Sequence, residues 1–216
     1  MPSRRALMGL YDGMLGAYGE QEWWPADSAF EVAVGAVLTQ NTNWSNVERA
    51  IANLKGADVL DQQALLALTH EQLADLIRPS GYYNIKAQRL RALLEYLDRV
   101  GGLESLAQAE LGAARQGLLS VKGVGPETAD DILLYALGLP VFVIDAYTRR
   151  ILFRMGLAQG AESYEELRQG FESVLPADAG LFKQYHALVV QHAKDACRKQ
   201  PVCRDCCLEE SCPQLR

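Results

Sequence analysis

All five cysteines of this 216-residue chain lie between Cys197 and Cys212. Five thiols in a chain of this length are too few for a disulfide scaffold. Crowded into one segment, they can be gathered around one centre by two loops and a helical start. The spacing Cys197-x5-Cys203-x2-Cys206-x5-Cys212 offers four thiolates. Four thiolates suit tetrahedral zinc or an iron–sulfur cluster, and spacing alone does not separate the two. Metal ligation is favoured over disulfides if the compartment is reducing. Two features point that way. The stretch after Arg4 and Arg5 is interrupted by Asp12 and several glycines, which makes a poor signal-peptide core. The longest uncharged apolar run, Ile132 to Ile144, contains Pro140. A bilayer span needs roughly 18 apolar residues, and this run falls short of that. A soluble, cytoplasmic protein without a membrane partner is expected, nucleoid-associated if the source is prokaryotic.

The remaining chain reads as helix. Hydrophobic residues make up 49% of the chain and charged residues 22%. That balance excludes a disordered or fibrous chain. The length allows one domain or two small lobes. Phe30, Val34, Val37 and Leu38 recur at spacings of three and four behind Asp27 or Ser28 as a cap. Further helical patterns cover 46–54, 62–68, 71–77, 85–100, 110–119, 127–137, 146–155, 164–174 and 181–196. Thr69 is a candidate cap for the third of these. Val141–Ile144 is β-branched but too short to count as a strand signal. The net charge of −6 provides no global basic field for a nucleic-acid partner.

Between the patterns 110–119 and 127–137 lies Val121-Lys122-Gly123-Val124-Gly125-Pro126-Glu127-Thr128. The glycines permit positive φ and close backbone approach to a ligand. Pro126 suits the first helical position, where an N–H would have no intrahelical partner. Such a turn aims backbone N–H groups of Gly123, Val124 and Gly125 at an anion, and a phosphate fits. By itself this is equally an ordinary connection between helices.

The wider arrangement adds Phe30-Glu31-Val32-Ala33-Val34-Gly35-Ala36-Val37-Leu38-Thr39-Gln40-Asn41-Thr42, then Gly81-Tyr82-Tyr83-Asn84-Ile85-Lys86-Ala87, and then Val143-Ile144-Asp145-Ala146-Tyr147-Thr148-Arg149-Arg150-Ile151. With these in order, the chain from about residue 28 to Cys212 resembles the helix-hairpin-helix DNA glycosylases of the endonuclease III superfamily. The resemblance implies an all-α, two-lobed helix-hairpin-helix glycosylase fold with a C-terminal iron–sulfur cluster loop. A six-helix lobe would occupy 28–139, and a second lobe would combine 1–27 with 140–216. Double-stranded DNA containing a damaged base would bind between the lobes as the partner of a monomer, with the nucleotide flipped out of the stack.

In that resemblance Asp145 is the catalytic carboxylate, stabilising positive charge on the sugar as the N-glycosidic bond breaks and orienting water. It is equally a candidate cap for the helix that follows. Bifunctional members carry a lysine where this chain has Glu127. Without that amine no Schiff base forms, so a monofunctional glycosylase is expected. Trp24, Pro25, Trp44 and Glu127 are placed at the base pocket, as in the 3-methyladenine branch. Indole faces attract a cationic alkylated purine by about 0.5–2 kcal/mol per contact. Gln40 would fill the gap left by the base. Lys86 and Arg149, with Arg89, Arg150 and Arg154, would meet phosphates. The resemblance favours a [4Fe–4S] cluster on Cys197, Cys203, Cys206 and Cys212 over zinc, with one residue fewer in the first gap than the family pattern. Cys207 is left without a ligand role. His186 and His192, on a helix with apolar neighbours, read as structural. Rival readings are a bifunctional glycosylase/AP lyase acting on oxidised pyrimidines, a non-catalytic binder of DNA structure, and a helical scaffold with a zinc knuckle.

Overall fold

A computed structural model describes residues 2–213, so Met1 and the last three residues of the expected second lobe lie outside it. Every regular element among the described residues is helical. Chain contacts divide the protein into two compact units, Ala26–Leu139 and the combination of Met1–Pro25 with Pro140–Arg216. No helix among the described residues is long and apolar enough to cross a membrane.

The two-part unit is built from α1 (Arg4–Tyr18), α10 (Ala146–Arg154), α11 (Tyr164–Glu172) and α12 (Ala179–Asp195). Helix α1 is absent from the sequence-level reading because Gly9, Gly13 and Gly16 weaken its helical pattern. Packing supplies what propensity lacks. Leu7, Leu10 and Met14 are buried, α1 packs on α12, and the Tyr185 hydroxyl donates to the Leu7 carbonyl at 2.8 Å. Gly13 has a specific reason: a Cβ there would stand 2.9 Å from Leu208 Cδ2, so the glycine lets the cysteine loop sit on the helix. The run Val141–Ile144 is buried and belongs to no helix or strand. Phe142 stacks on Phe171 at 3.8 Å and meets Tyr185 edge-on at 5.5 Å. Aromatic quadrupoles favour edge-on contacts of this kind.

The continuous unit comprises α2 (Ala29–Leu38), α3 (Trp44–Gly56), α4 (Gln62–Ala67), α5 (His70–Leu76), α6 (Tyr83–Val100), α7 (Gly102–Gln108), α8 (Leu111–Leu119) and α9 (Pro126–Asp131). That is eight α-helical segments rather than six, because two-turn pieces such as α4 and α7 are separate elements. Ser28 rather than Asp27 caps α2, and Thr69 forms a capping box with Gln72 on α5. Helix α2 is buried from Glu31 to Leu38 and forms the centre of its unit. Helix α9 runs into a π-helical turn, Ile132–Ala136, which the sequence pattern reads as uninterrupted helix.

Candidate active site

Asp145, itself extended, follows the buried run and caps α10. Its Oδ1 accepts the Thr148 N–H at 2.7 Å and the Thr148 hydroxyl at 2.8 Å. The other oxygen, Oδ2, lies 3.6 Å from His186 Nε2, which α12 places against it. Only 13% of the Asp145 side chain is exposed. Burial alone would push its carboxyl up, but His186 and the two Thr148 donors outweigh burial and hold it below the usual carboxylate value. Capping therefore coexists with a buried carboxylate held ionised. The segment is fixed from outside as well, since the Phe142 N–H donates to Glu172 Oε1 at 2.9 Å. His186 departs from the sequence-level reading. It touches the carboxylate instead of serving only the core, and periodicity gave no sign of this because its neighbours on α12 are apolar.

In the same unit, Cys197, Cys203, Cys206 and Cys212 line one cavity of about 250 Å³, together with Arg154, His192 and apolar side chains. Cys207 does not line it. Its sulfur lies 3.8 Å from His192 Nδ1, which also lies 2.9 Å from the Tyr18 hydroxyl. Among the described residues no three donors converge closely enough to hold a single ion. Four thiols lining one space are a donor set that suits either a tetrahedral ion or an iron–sulfur cluster. Two arginines tie this loop to α10. Arg154 donates to Cys197 Sγ at 3.2 Å and to the Arg198 and Lys199 carbonyls. Arg150 donates to the Cys197 and Ala193 carbonyls. Most of these hydrogen bonds go to the loop, which gives both arginines a structural task beside the expected phosphate contact. Arg149 is partly committed too, through Nη1 to the Glu162 carbonyl at 2.8 Å. Trp24 is half-buried and Pro25 exposed. Lys194 Nζ stands over the Trp23 ring at 5.0 Å.

The other unit carries the hairpin between α8 and α9. Gly123 adopts φ +90, but Gly125 is extended at φ −93, so only the first glycine needs positive φ. The Val124 N–H closes the turn on the Val121 carbonyl at 3.0 Å, which corrects its expected place among the outward donors. A buried bidentate pair holds the two helices, with Arg115 Nε and Nη2 on Asp130 Oδ1 and Oδ2 at 2.7 and 3.0 Å. Paired charge-assisted bonds of this geometry are among the strongest a side chain makes. Gln40 is bound into this hairpin. Its Nε2 donates to the Gly123 carbonyl at 3.1 Å and to the Thr128 hydroxyl at 2.8 Å, while Arg89 Nη1 donates to its Oε1 at 2.6 Å. Arg89 thereby spends one of its nitrogens on Gln40.

Lys86 corrects the sequence reading most sharply. It is 1% exposed, and its ammonium donates to the Leu38 and Ser80 carbonyls at 2.7 Å each. A buried ammonium cannot reach DNA. Glu127 is exposed in the first turn of α9, and Trp44, half-buried, opens α3 with Nε1 donating to Glu48 at 2.9 Å. Tyr82 escaped the sequence reading: 69% exposed and left-handed at φ 46, it stands at the start of α6. The glycine before it was the available signal.

Residues 34–177 match the family described as HhH-GPD superfamily base excision DNA repair protein. A Methanocaldococcus jannaschii protein provisionally named a DNA repair glycosylase is 46% identical over 206 residues, 94% of each chain. The H. pylori 3-methyladenine DNA glycosylase bound to 1,N6-ethenoadenine is similar with a TM-score of 0.73 and 32% identity, over 88% of this chain and 95% of that one. A non-covalent endonuclease III–DNA complex shares the fold with a TM-score of 0.83 at 22% identity, over 99% and 97% of the two chains. The chain thus belongs to the helix-hairpin-helix superfamily of base excision DNA repair proteins and is a DNA N-glycosylase.

Proposed function

We propose that this glycosylase is monofunctional and hydrolyses the N-glycosidic bond of a flipped, alkylated purine such as 3-methyladenine in double-stranded DNA. The observation that carries the reading is the buried Asp145 carboxylate, held ionised by Thr148 and His186. As the bond from C1′ to the base nitrogen breaks, its electron pair leaves with the base. A purine already cationic from alkylation departs neutral and needs no acid. Asp145 stabilises the positive sugar and takes a proton from the water that adds to C1′. Glu127 stands where bifunctional relatives carry an amine, and a carboxylate forms no Schiff base. Trp24, Pro25 and Trp44 are assigned to the base, whose charge the indole faces attract. The H. pylori glycosylase supports that substrate class by its bound modified adenine.

On the DNA side the reading assigns phosphate contact to the Gly123 and Gly125 backbone and to Arg149, and gap filling to Gln40, with the exposed Tyr82 ring as a second candidate. An exposed ring at a helix start can enter a base step. The cysteine loop is read as the holder of a [4Fe–4S] cluster on Cys197, Cys203, Cys206 and Cys212, zinc being the alternative. When bound, the group ties the loop into the fold, since glycosidic hydrolysis moves no net electrons. An assay over a lesion panel, with and without an abasic-site-cleaving agent, tests the function. Release of 3-methyladenine with strand cleavage only after the agent is expected. Release of thymine glycol alone, or efficient borohydride trapping on damaged DNA, would replace this reading with the bifunctional one.

A further inference from the structure

Lys86 is a buried ammonium that the proposed chemistry leaves without a task. Its two partners are carbonyls, and both stand at the ends of helical segments. Leu38 is the last residue of α2, and Ser80 the last of the 3-10 turn Arg78–Ser80. Helix ends leave carbonyls without intrahelical donors and concentrate partial negative charge there. One cation thus satisfies two such ends, each at 2.7 Å, from the first turn of α6.

Each anchored carbonyl leads, within one to three residues, to a left-handed residue. Beyond Leu38 come Thr39, Gln40 and Asn41, the last at φ 54. Beyond Ser80 come Gly81 at φ 68 and Tyr82 at φ 46. Left-handed conformations at residues other than glycine persist only where surrounding structure fixes them. Ser80 is fully buried, and its hydroxyl is spent on the Ile77 carbonyl at 2.7 Å, so Lys86 provides the tie between this turn and α2. Gln40 lies in the first of these turns and Tyr82 in the second.

We propose that Lys86 is a positioning residue that fixes the separation of the Gln40 and Tyr82 turns, and through it the opening of DNA around the damaged nucleotide. The proposal rests on the assignment of these two residues to the DNA gap. An ammonium between two carbonyls suits the task because it donates to both oxygens without bringing in a carboxylate that would repel phosphate. Burial, with Arg89 nearby, pushes the amine down to about 8, as such a site must. A neutral side chain of equal length would fill the space and leave both oxygens undonated.

The test uses Lys86→Met on the full chain, with duplexes carrying an abasic analogue opposite 2-aminopurine. Its readouts are 2-aminopurine fluorescence per folded molecule, single-turnover base release, and binding to undamaged duplex. The expected result is loss of most of the fluorescence rise and a fall in base release on the order of 10- to 100-fold, as misplacement of a positioning group produces. Binding to undamaged duplex, which phosphate contacts dominate, stays as in the wild type. A merely structural lysine would lower the melting temperature and leave the signal of the folded fraction intact, which would overturn the proposal. Should Lys86→Met not fold, Lys86→Gln, with amide donors on a shorter stem, is read the same way. If the wild type itself gives no fluorescence rise, the gap assignment fails and the positioning role falls with it. If the wild type gives the rise and the variant keeps it, only the role of Lys86 fails.

Discussion

Asp145 concentrates the chemistry in one carboxylate, and its surroundings make that testable. Asp145→Asn keeps the capping oxygen but removes the charge. Base release should fall on the order of 10²- to 10⁴-fold, while binding to an abasic-analogue duplex persists. Its pH dependence follows from the sign of its shift. A carboxyl held below its ordinary value in the folded chain adds stability that is present above the unfolded pKa and lost as pH falls through the folded one. Asp145 is then ionised at neutral pH, and any acidic limb it gives to single-turnover base release lies below the ordinary carboxylate range. Thr148→Val removes a hydroxyl donor from Oδ1, keeps the backbone donor, and should move the carboxyl upward. An acidic limb that appears in the variant at higher pH than in the wild type would confirm the link. An unchanged profile would break it.

At the scale of the element, the hairpin distinguishes its two glycines. A Cβ on Gly123 would stand 2.3 Å from Arg89 Cγ at a residue with φ +90. Gly125 has nothing within 4 Å and an ordinary φ. Gly123→Ala should therefore destabilise by about 1–3 kcal/mol. It should also displace the arginine that holds Gln40. Gly125→Ala should leave denaturant stability unchanged and weaken DNA binding alone, if its backbone approaches phosphate. Equal stability losses in chemical denaturation would contradict this account. The pair beneath the turn is a separate matter. Arg115→Met leaves Asp130 charged and buried. It should cost about 3–5 kcal/mol, readable from the same denaturation curves.

At the scale of the whole molecule, net charge and the cysteine loop set the outward behaviour. Affinity for duplex DNA should fall linearly in log–log form with salt despite the net −6. The expected slope is about −0.9 per phosphate neutralised. A flat dependence would remove the phosphate contacts from the reading. Protein purified without oxygen should be brown and contain iron, and loss of the metal should release the segment that Arg150 and Arg154 hold against α10. Protease cleavage confined to residues near 197–212 after metal removal would show that release. A colourless, zinc-loaded protein would refute the cluster.

Local chemistry wrote much of this protein into its sequence. Apolar spacing declared most helices, Ser28 and Thr69 declared their starts, and the order of hairpin, Asp145 and cysteines declared the family. These signals lie within a few residues of one another, where propensity, capping and spacing act. Tertiary structure alone decided which charges are available. Lys86, Arg89, Arg150 and Arg154 read as surface cations because a sequence does not show which carbonyl or sulfur will stand beside an amine. His186 reads as core for the same reason, until α12 is packed and its ring lies 3.6 Å from Asp145. Helix α1, weak in its own propensity, exists because α12 and Leu208 cover it. Burial and long-range pairing are properties of the packed chain, and they turned Lys86 from an expected DNA contact into part of the framework and gave Arg89, Arg150 and Arg154 internal partners.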